Sequence, residues 1–307
     1  MSQWVDLKVG FSCNNHCIHC VVSDKNSDEN LSFEKIKVIL QEYIDTYGTI
    51  QLTLTGGEVT IRRDFLQIMD YISDLKTAGK IEFVDMQTNA RMLANNALVE
   101  STVGVVDFFL VALHSSQSDI HDAITRSPGS FIQTTHALQN ISSKLGVDKI
   151  AIQTVINRKN YTGLKNICSF VFEQYGIKEF NITFPHPIGD CYSTEVVPSY
   201  QEVQPYVNEA LEYCFSQEIF PYIEALPYCI FRKDFRQYAV DFYRRRGIHV
   251  VGYAGEQDGK LDYLELAPAG HAKYSFCKNC TFTTQCEGVW SEHVELYPYE
   301  NLLALME

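Results

Sequence analysis

Alternation between β-rich and helical segments constrains the fold of this chain more than any other feature of its sequence. Short β-rich runs predict strands at residues 4–11, 50–55, 81–88, 105–113, 150–156 and 178–184. Apolar residues at helical spacing predict helices at residues 33–47, 64–76, 95–101, 131–145, 161–175 and 198–217. Strands that alternate with helices build βαβ units around a parallel sheet. The sequence therefore predicts an α/β fold.

This rhythm stops near residue 220. Beyond that point the sequence predicts a helix at 238–246 with a basic end, and a β-hairpin formed by residues 248–253 and 261–266. The segment that joins the two hairpin strands contains Gly-Glu-Gln-Asp-Gly-Lys, a composition typical of hairpin loops. We therefore predict two domains, a larger α/β domain over residues 1–220 and a small α+β domain over residues 221–307.

The charge balance disfavours some classes of partner. The chain has 25 Lys and Arg residues against 38 Asp and Glu residues, which gives a formal net charge of −13. Nucleic acids and anionic membranes both need a positive protein surface. The longest apolar runs fall far short of the ~20 residues that span a bilayer, and the first residues lack the basic and apolar regions of a signal peptide. We therefore expect a cytoplasmic protein that binds neither nucleic acid nor membrane.

Ten cysteines are the unusual feature of the composition. In a reducing compartment, many cysteines more often indicate metal binding or catalysis than disulfides. Their placement is uneven, because one group lies near the start of the chain, a second group lies near the end, and the others are scattered. The first group is Cys13, Cys17 and Cys20, and the second is Cys277, Cys280 and Cys286.

The first group follows the first predicted strand with the spacing C-x3-C-x2-C. Three thiolates do not complete a four-ligand zinc site, but His16 or His19 is available as a fourth ligand. Three thiolates also suit a [4Fe–4S] cluster that leaves one iron open to an exchangeable ligand. The spacing alone therefore leaves an iron–sulfur cluster and a zinc site as alternatives.

The same spacing at the end of a first strand resembles the signature of the radical SAM superfamily. The resemblance implies a partial (β/α)6 barrel, in which the amino and carboxylate groups of S-adenosylmethionine (SAM) chelate the open iron. It implies an enzyme that cleaves SAM reductively and uses the 5′-deoxyadenosyl radical to remove a hydrogen atom from a substrate. The family usually has an aromatic residue before the last cysteine, and here His19 offers a flat ring.

The resemblance continues at the ends of the later strands, where it implies the residues that contact SAM. Gly56, Gly57 and Glu58 resemble the Gly-Gly-Glu of the family: glycines let the backbone approach a ligand, and Glu58 is a natural acceptor for the methionine amino group. Strand ends are also where βα barrels carry their active sites. The other implied contacts are Gln87 and Asn89 after the third strand, Ser115 after the fourth, Arg126 in the segment that follows, and Val155 at the end of the fifth.

The second cysteine group has ligand spacing as well, and Cys229 upstream is available as a fourth thiolate. In isolation, this pattern resembles half a zinc ribbon or a ferredoxin-like fragment, so a structural zinc knuckle is an alternative. After a radical SAM signature, the layout resembles the twitch domain, a shortened SPASM domain that holds one auxiliary [4Fe–4S] cluster. With four cysteine ligands that second cluster would have no open iron, and its expected role is electron transfer.

Two residues after the sixth predicted strand are candidates for catalysis. Cys191 is a candidate hydrogen-atom donor to a substrate radical, as in the peptide epimerases of this superfamily, and His186 is a candidate proton acceptor. The alternatives are a passive loop thiol and a loop histidine bonded to backbone. Cys168 and Cys214 fall on predicted helices, where we expect buried core thiols.

The sequence leaves three functions open. The first is modification of a ribosomally synthesised peptide by crosslinking, oxidation or epimerisation, although Cys13 leaves no room for the leader-binding domain of many such maturases. The second is oxidation or cyclisation of a small molecule such as a sugar, an aminocyclitol or a cofactor precursor. The third is a non-catalytic zinc protein with an interaction role. For an enzyme we expect a flavodoxin or ferredoxin-type electron donor that docks on a basic patch such as Arg244, Arg245 and Arg246.

Overall fold

The computed structural model describes residues 2–23, 30–219, 221–236, 250–253, 259–262, 270–300 and 302. The strands in these ranges are β1 (Gln3–Lys8), β2 (Ile50–Thr55), β3 (Ile81–Thr88), β4 (Phe108–Ala112), β5 (Ile150–Val155), β6 (Glu179–Thr183), β7 (Tyr222–Glu224), β8 (Val250–Tyr253), β9 (Lys260–Asp262), β10 (His271–Ala272) and β11 (Val289–Trp290). The helices are α1 (Phe33–Tyr47), α2 (Phe65–Thr77), α3 (Asn96–Val103), α4 (Ser118–Thr125), α5 (Ser130–Leu145), α6 (Leu164–Tyr175), α7 (Tyr200–Ser216) and α8 (Ser291–Leu296).

One sheet dominates the fold, with the strand order β7-β6-β5-β4-β3-β2-β1-β8-β9. Strands β1 to β8 pair in parallel, and β9 pairs antiparallel with β8. Strands β10 and β11 form a separate antiparallel ribbon near the C-terminus. Because parallel strands put their carboxyl ends at one edge, the loops after β1 to β6 meet at that edge.

Alternation along the strands separates an apolar outer face from a polar inner face. On β1, Val5 and Leu7 are fully buried in the core, whereas Asp6 and Lys8 point to the opposite face. The helices cover the apolar face; Ile36 and Leu40 of α1, for example, have no exposed surface. The polar inner face is therefore the surface that the fold leaves available for a ligand.

All six strands predicted from the alternation are confirmed, although β1 ends at Lys8, earlier than predicted. The structure adds α4, an amphipathic helix of eight residues, and β7, a strand of three residues. The predicted hairpin is confirmed where it is described, since β8 pairs antiparallel with β9, but β8 also pairs in parallel with β1. Both β7 and β8 extend the main sheet beyond residue 220, and the two-domain division stays a prediction.

Two further predictions concern a basic helix and membrane-spanning segments. The predicted helix at 238–246, and with it the basic patch at Arg244, Arg245 and Arg246, lies outside the described residues. Across the part of the chain that the structure describes, no helix combines the length and the apolar character that crossing a membrane requires.

Candidate active site and cysteine centres

The loop that carries the first three cysteines follows β1, and we call residues 13–20 the cysteine loop. The turn after β2 holds the segment that leads into it, because the Gly57 amide donates a hydrogen bond to the Gly10 carbonyl at 2.7 Å. The end of α4 holds its middle, because two carbonyls there accept from the amides of His16 (2.8 Å) and Ile18 (2.9 Å). Backbone hydrogen bonds from two sides thus position the loop.

Gly56 and Gly57 make this close contact between the two turns possible. A Cβ atom at Gly57 would overlap the Ser12 carbonyl oxygen and lie 2.6 Å from the carbonyl carbon of Phe11. Gly56 has φ 124°, and a Cβ there would overlap a carbonyl oxygen of the segment before the cysteine loop. The structure therefore explains both glycines without a ligand: backbone atoms before the cysteine loop occupy the space that a Cβ would need.

We expect Gly57→Ala to displace the cysteine loop, because the backbone must move to admit the added methyl group. The expected cost is about 1–3 kcal/mol of unfolding free energy, together with a clear loss of iron incorporated on anaerobic reconstitution. Gly104→Ala is the matched control, since a Cβ at Gly104 meets nothing within 4 Å. Chemical denaturation and iron analysis measure both effects, and equal behaviour of the two variants would contradict the prediction.

The three thiols of the cysteine loop interact with one another. Burial raises the pKa of Cys17 to about 12, and repulsion from the Cys13 and Cys20 thiolates adds to the rise. Burial also raises the pKa of Cys13, although its Sγ accepts from the Asn15 amide at 3.3 Å and from Asn89 Nδ2 at 3.7 Å. A metal supplies the positive charge that adjacent thiolates need. This donor set fits an iron–sulfur cluster held by three cysteines.

A second donor set overlaps the first. Cys17 Sγ and one ring nitrogen each from His19 and His114 lie within 4.8 Å of one another. One sulfur and two imidazoles form a set that zinc accepts. Zinc at this position would use one cysteine of the loop and leave Cys13 and Cys20 unused. His16, the other histidine that the spacing offered as a zinc ligand, is exposed and outside this set.

Glu58 joins the ends of β2 and β3. Its side chain is buried, with 2% of the residue exposed. Oε1 accepts from the Thr60 amide (3.1 Å) and from the Thr88 hydroxyl (2.7 Å), and Oε2 accepts from the Asn89 amide (2.7 Å). A carboxylate has about four acceptor positions, so Oε2 has capacity for another donor. The predicted contact of Glu58 with the methionine amino group stays a prediction.

The remaining predicted SAM contacts lie along the carboxyl edge of the sheet. They are Gln87 on β3, Ser115 after β4, Arg126 at the end of α4, and Val155 at the end of β5. Arg126 ends α4 in the left-handed conformation (φ 50°), and its side chain is 54% exposed beside Asp190, 3.9 Å away. Its charge opposes the rise in the pKa of Cys17, which places the guanidinium near the cysteine loop.

The four cysteines of the second centre line a single cavity. Burial raises the pKa of Cys229 to about 12, and repulsion from the other three thiolates adds to the rise. The Phe282 amide donates to Cys280 Sγ and the Gly288 amide to Cys286 Sγ, each at 3.4 Å. The cavity lining consists of Cys229, Cys277, Cys280 and Cys286 with apolar groups that include Tyr228, Phe276, Val289 and Leu302. Four convergent thiols with amide donors fit a closed iron–sulfur cluster.

The β10–β11 ribbon separates this cavity from the carboxyl edge of the barrel. Ala272 and Val289 face the cavity, so their strand neighbours His271 and Trp290 point to the other side. There the Trp290 ring stacks on His186 of the barrel, with ring centroids 3.9 Å apart, and on His271 at 4.1 Å. The second cysteine centre and His186 therefore lie on opposite faces of one ribbon.

The two catalytic candidates differ in accessibility. The His186 side chain is 28% exposed, and its Nε2 lies 3.3 Å from Glu292 Oε2 on α8. Burial lowers the pKa of His186, although Glu292 acts in the opposite direction. Cys191 has no exposed surface, and burial raises the pKa of its thiol to about 12, with a contribution from Cys20 nearby. Both predicted roles stay predictions.

The inner face of the sheet contains a buried acid. Asp85 on β3 is 7% exposed, and its Oδ2 accepts from the Thr53 hydroxyl at 3.3 Å, while Oδ1 has no partner among the described residues. Burial raises the pKa of Asp85 to about 7, and Asp6 on β1 contributes by repulsion. This part of the barrel therefore carries a carboxyl group that ionises near neutral pH.

We expect Asp85→Asn to stabilise the protein more at pH 8 than at pH 5. Between about pH 4 and pH 7 the unfolded carboxyl group loses its proton while the folded one keeps it, so this residue lowers stability as pH rises through that window. Asparagine has no proton to lose, and the gain reaches up to about 4 kcal/mol at pH 8. Denaturant titrations at both pH values measure it, with exposed Asp74→Asn as control; a pH-independent gain would contradict the assignment.

Sequence reasoning missed several residues of this site. His114 stands at the strand end that supplied Ser115, and Glu292 and Trp290 lie far along the chain from the His186 that they contact. A histidine directly after an apolar strand was a usable signal for His114. For the contacts of His186, no local pattern existed, because the tertiary fold brings them together.

Comparison with known proteins agrees with this geometry. The model of the radical SAM superfamily matches residues 7–170, more than half of the chain. A probable GTP 3′,8-cyclase of Sulfurisphaera tokodaii is 34% identical over 187 residues, 60% of this chain and 57% of that protein. Mycofactocin maturase MftC of Mycobacterium tuberculosis is 29% identical over 167 residues, 54% of this chain and 40% of that protein. The chain thus spans about half the length of the curated relatives it matches.

Solved structures share the fold over nearly the whole chain. SuiB of Streptococcus suis, bound to SAM, superposes with a TM-score of 0.64 at 14% identity, covering 96% of this chain and 74% of that chain. The anSMEcpe structure with bound AdoMet and the Cp18Cys peptide gives 0.65 at 12% identity, covering 100% and 99%. The predicted partial barrel is thereby confirmed. The family match over residues 7–170, together with the cysteine loop, establishes that the chain belongs to the radical SAM superfamily, whose members are enzymes that use SAM and a cysteine-bound [4Fe–4S] cluster.

Proposed function

We propose that this enzyme removes a hydrogen atom from a ribosomally synthesised peptide and that the peptide leaves oxidised. Similar proteins include a mycofactocin maturase, and the solved structures of similar fold include SuiB with its precursor peptide SuiA and anSMEcpe with bound peptides. These likenesses indicate a class of substrate. The charge of the inner face is the observation that favours that class over a nucleotide.

The inner face of the described strands is acidic. Its ionisable side chains are Asp6, Lys8, Asp85, Glu179 and Glu224: four carboxyl groups, of which Asp85 ionises near neutral pH, against one lysine. The Lys8 Nζ lies 3.8 Å from Asp6 Oδ2, so its charge is already shared with a carboxylate. A nucleoside triphosphate needs several cationic groups. An uncharged or cationic peptide segment suits this surface better than GTP.

The residues at the carboxyl edge have distinct roles in this proposal. Cys13, Cys17 and Cys20 would hold the catalytic cluster. SAM would lie along Gly56, Gly57, Glu58, Asn89, Ser115, Arg126 and Val155, with the ring of His19 and the side chain of Gln87 beside it. When bound, the cluster and SAM together supply the radical that abstracts hydrogen from the substrate. The protein aligns the substrate with that radical and excludes water.

His186 is the proposed proton acceptor. Its Nε2 faces Glu292 Oε2, an arrangement that puts the imidazole proton on Nε2 and leaves Nδ1 as the basic nitrogen. Within the described residues, no donor occupies that Nδ1. Stacking on Trp290 and the bond to Glu292 hold the ring in place, so Nδ1 can take the proton that leaves an oxidised substrate. Cys191 is fully buried, and therefore oxidation is favoured over epimerisation.

Cys229, Cys277, Cys280 and Cys286 would hold an auxiliary [4Fe–4S] cluster. All four line one cavity and two accept amide hydrogen bonds, as cluster ligands do. With no open position, this cluster serves electron transfer. The external electron donor would be a flavodoxin or a ferredoxin.

Anaerobic turnover with deuterated candidate substrates tests the proposed function. One set of probes consists of short peptides that are encoded beside the gene for this enzyme, each deuterated at its side chains. The other probe is GTP deuterated at the ribose. We expect deuterium in 5′-deoxyadenosine, and a peptide product two hydrogens lighter, only with a peptide probe. Deuterium transfer from GTP would favour the alternative, a cyclase or oxidoreductase of small molecules. The 34% identity with a probable GTP 3′,8-cyclase is the observation that supports this alternative. Stoichiometric zinc without SAM cleavage would support the third reading, a zinc protein.

A further inference from the structure

Three buried histidines form a row that begins within the cysteine loop and continues behind it: His19, His114 and His121. Their residues are 8%, 3% and 1% exposed. His19 meets His114 edge-on with ring centroids 4.5 Å apart, and His114 stacks on His121 at 5.8 Å with 17° between the ring planes. We call these three residues the histidine row. They lie at the carboxyl edge of the sheet, where the cysteine loop also lies.

Backbone hydrogen bonds assign the proton of the middle ring. The Val155 amide is the donor to His114 Nδ1, at 3.4 Å. The His114 amide is in turn the donor to His121 Nδ1, at 3.2 Å. A neutral imidazole accepts at one nitrogen and carries its proton on the other. His114 and His121 therefore both carry the proton on Nε2, and burial favours the neutral rings by lowering the pKa of each.

Cys17 is the cysteine that this row approaches. Its Sγ belongs to the set, within 4.8 Å of one another, that includes a ring nitrogen of His114. Cys13 Sγ already accepts from the Asn15 amide and from Asn89 Nδ2. Cys17 is the more deeply buried of the two thiols, and this burial raises its pKa to about 12. A thiolate there gains most from a further hydrogen-bond donor.

We propose that His114 donates its Nε2–H to Cys17 Sγ and thereby raises the reduction potential of the cluster that the cysteine loop holds. A hydrogen bond to a cysteine sulfur withdraws charge from the cluster, and this stabilises the reduced state, which carries one more negative charge. His121 acts as a positioning residue, because its Nδ1 holds the His114 backbone. The proposal rests on family membership and on the row itself, and it needs no knowledge of the substrate.

The test compares His114→Phe, which keeps a flat ring without a donor, with His114→Gln, whose amide keeps a donor at a similar reach. His121→Phe removes the positioning contact and keeps the His114 donor, so it separates the two roles. Anaerobically reconstituted full-length protein is titrated with reductant under EPR, without substrate. The signal that SAM alters identifies the cluster of the cysteine loop and separates it from the auxiliary cluster.

We expect a lower midpoint potential in His114→Phe than in the native protein, a return towards the native value in His114→Gln, and a smaller shift in His121→Phe. Pulsed EPR of native protein labelled with 15N-histidine should show a nitrogen coupling to the reduced cluster. An unchanged potential in a fully loaded His114→Phe variant would refute the proposal. If that variant does not assemble its cluster, absence of the 15N coupling in the native protein would refute the proposal instead. Zinc bound by Cys17, His19 and His114 would refute it as well.

Discussion

Cys17→Ala is expected to abolish reductive cleavage of SAM and to lower the iron content from about eight atoms to about four per chain. Cys17 lies at the centre of the cysteine loop, and its thiol interacts with those of Cys13 and Cys20. Two remaining thiolates do not retain a four-iron cluster, so the open iron that SAM needs is lost. The measurements are iron and sulfide analysis and the amount of 5′-deoxyadenosine formed with dithionite as reductant.

Cys191→Ala is the control for this result. Cys191 is fully buried and its pKa responds to Cys20, so it lies near the same centre without belonging to the cysteine loop. We expect this variant to retain about eight irons. Loss of four irons from Cys191→Ala would show that Cys191 is a ligand, and full iron with SAM cleavage in Cys17→Ala would contradict the three-cysteine assignment.

The parts of the fold that depend on local pattern were predictable from the sequence. Strands β1 to β6 each present an apolar face and are each followed by a helix, so the period of their apolar residues reveals them. Strand β7 has only three residues and carries no usable period. The pairing of β8 with β1 was not predictable either, because it joins strands from opposite ends of the chain and depends on closure of the sheet.

The candidate site divides in the same way. The spacing of Cys13, Cys17 and Cys20 is local, so the sequence displays it directly. The partner of His186 is Glu292, 106 residues away, and only the docking of α8 on the barrel brings the two together. Glu58 illustrates a third case: its position was evident, and its contact with Thr60 is local, but its contacts at Thr88 and Asn89 depend on the pairing of β2 with β3.

Cys229→Ala is expected to remove the auxiliary cluster, and this result tests the second centre as Cys17→Ala tests the first. Cys229 comes from a separate segment of the chain, between β7 and β8, and closes the ligand set of Cys277, Cys280 and Cys286. Without it, three thiolates remain around an apolar cavity, and this centre has no SAM to complete the ligand set as the cysteine loop does. The iron content should therefore fall from about eight atoms to about four. The EPR signal that SAM alters should persist.

The control for this second centre is Cys168→Ala. Cys168 is a buried thiol on α6 that lies beside the Cys214 thiol on α7, so its loss affects helix packing and not the cavity. We expect it to keep full iron at a cost of about 1 kcal/mol in unfolding free energy. Two complete clusters in Cys229→Ala would exclude Cys229 as a ligand. If the auxiliary cluster accepts the substrate electron while His186 accepts the proton, Cys229→Ala must also stop product formation while deuterium still enters 5′-deoxyadenosine.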